Sequence, residues 1–262
     1  MATTLSAAGS LLRPERRLLV LSVLGAAAAA WLVLLLAGEA LPHHVTAASH
    51  DHHHDVGPST TAVATGWLLM VVAMMLPPAL PMFDLLRTLA ARHRRPMVVV
   101  GAGVAAFVGV WAAAGVVLVG AGLGLRALAA STPWTAARPH LFAAAVLAVA
   151  GVYQLGPLAQ ACLRACRTPR GFAVAHWRGV RAPWVEAAAV AGAYGASCVG
   201  CCWALMTVSL VVGVAALPVM VVLTVLMAAQ RLARHGRRLV RPSGFALLAL
   251  GAVAATGLLP LT

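Results

Sequence analysis

Seven apolar runs set the limits on what this chain can become. They cover residues 18–37, 62–80, 97–122, 139–158, 185–212, 217–233 and 244–259. Most approach the roughly 20 residues that carry a helix, at about 1.5 Å per residue, across a hydrocarbon core about 30 Å thick. Inside a bilayer the backbone must satisfy its own polar groups, so runs of this length fold as helices. Only 10% of the residues are charged and 62% are hydrophobic, where a soluble domain carries about a quarter charged. The expected fold is all-α, a polytopic integral membrane bundle of about seven transmembrane helices. It divides into a short head (1–17), a first helix (18–37), a His-rich loop (38–61) and a six-helix membrane domain (62–262). The first run is too long for the apolar core of a signal peptide and reads as a retained helix.

The net charge of +13 comes from nineteen arginines against six acids, with no lysine. Positive residues concentrate on the cytoplasmic side of membrane proteins. With seven spans and a cytoplasmic N-terminus, seventeen arginines fall on the inner side, and Arg126 and Arg138 alone on the outer side. The split accounts for the basic balance without nucleic acid. It predicts a multi-pass protein of the bacterial plasma membrane, with the His-rich loop and the C-terminus facing outward.

The fifth run carries Ser197-Cys198-Val199-Gly200-Cys201-Cys202-Trp203-Ala204-Leu205-Met206. Crossing a membrane needs no thiols, whereas soft sulfur donors suit Cu(I). Helical spacing puts Tyr194, Cys198, Cys202 and Met206 on one face and Cys201 on its flank. The plainer reading is that small cysteines, with Gly195 and Gly200, allow close helix packing. The second run offers a partner face in Trp67, Met70 and Met74, with Met75 adjacent. Prolines 77, 78 and 81 are expected to break or kink that helix near its end. Asp84 and Arg87, three apart, are placed to pair. Gly101, Gly103, Gly109 and Gly115 mark the third run for close packing.

Cys162 and Cys166 stand one turn apart at the predicted cytoplasmic end of the fourth run. They could hold a metal, form a redox pair or do nothing specific. Tyr153 is expected to pack and to bond its hydroxyl to a neighbouring helix. Outside the membrane, His50, His52, His53 and His54, with Asp51 and Asp55, form an imidazole-rich tract able to bind Cu(II), Zn(II) or Ni(II). Such tracts also occur as solvated linkers that bind metals without selectivity. No general base paired with a nucleophile stands out, and Asp84 and Glu186 read as structural partners of arginine.

Three blocks carry a family resemblance. They are Trp67-x-x-Met70-x-x-Ala73-Met74-Met75-x-Pro77-x-x-x-Pro81, then Gly151-x-Tyr153-Gln154-x-x-Pro157-x-x-x-x-Cys162-Leu163-x-x-Cys166-Arg167-x-Pro169, and Cys198-x-Gly200-Cys201-Cys202-Trp203-x-Leu205-Met206. The chain resembles a bacterial family of predicted metal-binding integral membrane proteins, some of whose members are called copper chaperones. The match spans positions 67–206, so the His-rich loop inherits nothing from it. Two departures stand out. Val214-Ala215-Ala216 follows Gly213 where the family tends to have Met-Asn, and Gln230-Arg231 stands where it tends to have Glu-Lys. An acid role at the second place does not carry over.

The resemblance implies a membrane protein with a metal link. The expected function is binding or handing on a soft metal ion, copper first, through Cys198, Cys201, Cys202, Met206, Met70 and Met74. The bilayer surrounds it, and a metal-receiving or redox partner protein is expected. The alternatives are a membrane subunit of a metal-dependent oxidoreductase and a helical scaffold or assembly factor. Few intramembrane charges and no repeat pair speak against a transporter.

Overall fold

A computed structural model describes residues 14–40, 60–91, 93–131, 133, 138–212 and 217–257. The His-rich tract, His50 to His54, lies outside the described residues. The described chain is helical throughout: α1 (Pro14–Ala40), α2 (Thr60–Ala90), α3 (Pro96–Ala130), α4 (Pro139–Leu155), α5 (Pro157–Arg167), α6 (Pro169–His176), α7 (Pro183–Val212), α8 (Leu217–Leu232), a 3-10 turn (Gly236–Leu239) and α9 (Val240–Ala255). Proline opens α3, α4, α5 and α6 at the first turn, where its missing N–H costs no intrahelical bond.

Among the described residues, five helices are long and apolar enough to cross a membrane: Pro14–Leu36, Val63–Ala90, Pro96–Leu125, Pro183–Ser209 and Gly236–Ala255. The count reaches six if α4 and α5, bent by 63° at Gly156, form one span. The expected seventh, α8, has 16 residues, about 24 Å of helix. Seven full spans are therefore not what the helix lengths give.

The second span also differs from expectation. Pro77, Pro78 and Pro81 lie inside α2, which continues through them to Ala90. Buried neighbours let a membrane helix tolerate proline, and Leu76, Ala79 and Met82 beside these prolines are buried. The basic loop shortens accordingly, and Arg87 becomes a helical residue. The expected Asp84–Arg87 pair forms at 3.0 Å. Arg16 of α1 joins Asp84 at 3.0 Å, and Arg87 reaches Glu15 at 3.5 Å. These contacts tie the start of α1 to the end of α2. Asp84, Arg16 and Glu15 are part-exposed, so each pair contributes about 1 kcal/mol or less.

α1 lies along α2, α2 along α3, and α3 along α7; α4 pairs with α9, and α5 crosses α7. Small residues set these approaches. A Cβ at Gly115 would collide with the Trp67 ring, whose Nε1 donates to the Trp111 carbonyl at 2.8 Å. A Cβ at Gly151 would stand 2.9 Å from the Gly244 carbonyl oxygen and 2.8 Å from Leu248 Cγ. Of the four glycines marked in the third run, Gly103 and Gly115 face neighbours, while Gly101 and Gly109 face open space.

This contrast predicts opposite outcomes for two substitutions. Gly151→Val should push α4 from α9 and lower the unfolding temperature in detergent by several degrees, an overpacking cost of about 1–3 kcal/mol. Gly109→Ala should leave it unchanged or slightly higher. Equal effects in a thermal-shift assay would contradict the packing described.

Candidate metal centre

The site begins with a break in the chain. Gly156 is extended (φ −69°, ψ 157°) and Pro157 opens α5. A residue before proline is pushed out of the helical region, and glycine yields to that push easily. The bend lays α5 across α7. Its buried positions are Ala159, Leu163 and Cys166, with Cys162 half-buried at their margin.

On α7, Cys198, Cys201 and Cys202 are all buried. The sulfurs of Cys166, Cys198 and Cys201 lie within 4.8 Å of one another. Cys201 is the hub. Its Sγ is 3.7 Å from Cys166 Sγ, 3.1 Å from Cys202 Sγ and 3.2 Å from the Cys198 carbonyl oxygen. The flank residue of the helical wheel thus meets the partner helix together with Cys198 of the main face. All five cysteines are free thiols.

The donor set suits a soft ion. Two thiolate sulfurs sharing a metal at about 2.3 Å, the zinc–sulfur length, sit at most about 4.6 Å apart. The triangle needs only slight contraction to meet that limit. Its donors are sulfur alone, the preference of Cu(I) over harder ions.

Hydrogen bonds tie α7 to both halves of the bent span, α5 and α4. Tyr194 donates to the Cys166 carbonyl at 2.9 Å, and Tyr153 donates to the Gly200 carbonyl at 2.6 Å. The expected neighbour bond of Tyr153 is thereby formed, and its ring meets Trp203 edge-on at 4.8 Å. A Cβ at Gly200 would stand 2.5 Å from Cys162 Sγ. Glycine there lets α5 reach α7, so the packing role suggested for Gly200 and a site role for its neighbours hold together.

Three further residues frame the cluster. Arg167 donates to the carbonyls of Gln230, Arg231, Ala233 and Arg234, closing the C-terminal end of α8. Gln154 donates to Gln230 at 3.0 Å, and Gln230 to Ser243 at 3.0 Å, linking α4, α8 and α9. The Gln230 that stands in place of an acid is therefore a structural hydrogen-bonding residue. Arg231 is 3% exposed and donates to the Tyr194 hydroxyl at 3.3 Å. Sequence reasoning counted it among the inner loop charges. Its apolar helix was the signal that it could be buried.

The partner helix of the α7 thiols is α5; α2 touches α7 only slightly. Met70, Met74 and Met206 are buried in the common core. Phe107 of α3 bridges α2 and α7, its ring 5.6 Å from Phe83 and 6.3 Å from Tyr194.

Residues 64–254 match the sequence profile of the PpoB2 family, described as copper chaperones. The chain belongs to this family. No curated protein and no solved structure matches it. Family membership supports copper handling in general, and the buried Cys166–Cys198–Cys201 cluster is a place in this PpoB2 member where a metal ion could be held.

Burial predicts the order of thiol reactivity. N-ethylmaleimide should modify Cys162 first in the folded, metal-free protein, with all five cysteines reacting after denaturation. Mass spectrometry of intact and digested protein reads this directly. Native labelling of Cys198 or Cys202 ahead of Cys162 would contradict the burial.

Proposed function

We propose that this protein binds Cu(I) inside the membrane between α5 and α7 and hands it to a partner. The observation that carries the reading is the convergence of three buried thiols from two helices, Cys166, Cys198 and Cys201. Cys202, 3.1 Å from Cys201 through its sulfur, is the donor to which the ion can shift. Thiolates exchange Cu(I) by forming one sulfur bond as another breaks, with no change of oxidation state. Met206, Met70 and Met74, buried in the same core, supply thioethers for an ion leaving the thiols, and the His-rich tract gathers ions outside.

The expected plasma-membrane orientation puts the arginine-rich side in the cytoplasm. The Arg16–Asp84–Arg87 network joins the start of α1 to the end of α2, helix ends that both fall on that side. Arg167 caps the end of α8 on that side as well. With the N-terminus in the cytoplasm, α7 enters from the cytoplasmic face. Cys198 then lies 15 residues beyond Pro183, about 22 Å along the helix.

Metal content of the full-length protein, purified in detergent and loaded with Cu(I) under anaerobic conditions, tests the reading. Wild type should retain copper through gel filtration. Cys166→Ser and the double variant Cys201→Ala/Cys202→Ala should retain little. A wild type that keeps none, or variants that keep as much as wild type, would refute it.

A further inference from the structure

Arg231 poses a problem that its own helix does not solve. The side chain is buried, and its Nε and Nη1 have no hydrogen-bond partner among the described residues. Its one bond goes from Nη2 to the Tyr194 hydroxyl, and its Cζ lies 5.9 Å from the centre of that ring. Guanidinium stays charged in proteins, and a buried charge requires a counter-charge. Each acid whose side chain is described is engaged elsewhere. Asp84 and Glu15 hold Arg16 and Arg87, and Glu186 accepts from the backbone of Arg178 and Arg181. Tyr194 ties Arg231 to the backbone of Cys166, and thiolates at Cys198, Cys166 and Cys202 would act on its charge.

We infer that Arg231 is a specificity-determining positioning residue that makes the thiol cluster prefer a monovalent soft ion to a divalent one. The inference rests on the proposed metal site. On loading, each ligating thiol releases its proton and forms a sulfur–metal bond. With n thiolates the complex carries a charge of 1 − n for Cu(I) and 2 − n for Zn(II). With the same thiolates ligating either ion, the Cu(I) complex is one unit more negative, so a fixed cation beside that thiolate set favours Cu(I). Tyr194 sets the position of that cation. Its hydroxyl accepts from Arg231 and donates to the carbonyl of Cys166, so the arginine is tied to the backbone of a ligand residue.

Competition titrations on the full-length protein in detergent read the preference. Cu(I) is offered against bicinchoninate and Zn(II) against a chromogenic chelator, and the ratio of the two affinities is compared. Arg231→Gln should lower the Cu(I)-to-Zn(II) ratio on the order of 10- to 100-fold, the usual effect of a residue supporting a metal ligand. Arg231→Lys should preserve the ratio. Tyr194→Glu, which neutralises the arginine in place and leaves no unpaired charge, should lower it as Arg231→Gln does, and it serves if Arg231→Gln fails to fold. A ratio unchanged in the neutralised variants, or lowered equally by Arg231→Lys, would overturn the inference while leaving the metal site standing. Absence of Cu(I) binding in wild type would instead remove the proposed function and this inference together.

Discussion

The thiol cluster depends on one break in the backbone. If α4 ran on straight past Gly156, Cys162 and Cys166 would lie on its continuation, pointing along the bundle and not across it. The Gly156–Pro157 step turns the chain by 63° and lays α5 over α7. Glycine at position 200 lets α5 and α7 approach, the Tyr194 bond to Cys166 ties them together, and the Tyr153 bond to Gly200 ties α4 to α7. Backbone bend, small residue and hydrogen bonds thus act on the same contact. Sulfurs 35 residues apart in sequence come to 3.7 Å in space.

Proline does not act alike at the two places where it interrupts the apolar runs. Pro77, Pro78 and Pro81 leave α2 continuous, whereas Pro157 separates α4 from α5. The residue in front differs. Leu76 is packed in the core and stays helical, while Gly156 has no side chain to anchor and takes the extended conformation.

Much of the fold was legible because hydrophobic run length and proline placement are local properties. The helical class, the Asp84–Arg87 pair and the three motif blocks could all be read from spacing. Which helix faces the α7 thiols was not legible, because it is set by contacts between segments far apart in sequence. The wheel assigned Cys201 to a flank and favoured α2 as partner. The structure brings α5 to the α7 thiols, and of Cys162 and Cys166, for which a metal, a redox pair or no specific role were all open, it places Cys166 at one corner of the sulfur cluster. Arg231 was hidden for a different reason. In a sequence it counts as one more inner arginine, like Arg87. Both are buried, but Arg87 has Asp84 and Glu15, and among the described residues the Arg231 side chain bonds to Tyr194 alone.

The proposed ion site of this copper chaperone family member is buried, all-sulfur and lies between α5 and α7. X-ray absorption at the copper edge, on full-length protein loaded with one equivalent of Cu(I), tests it most directly. Copper should be coordinated by sulfur alone, with the signal lost in Cys166→Ser. Nitrogen scattering from imidazole, unchanged by that substitution, would place the ion in the His-rich loop and rule out the sulfur site.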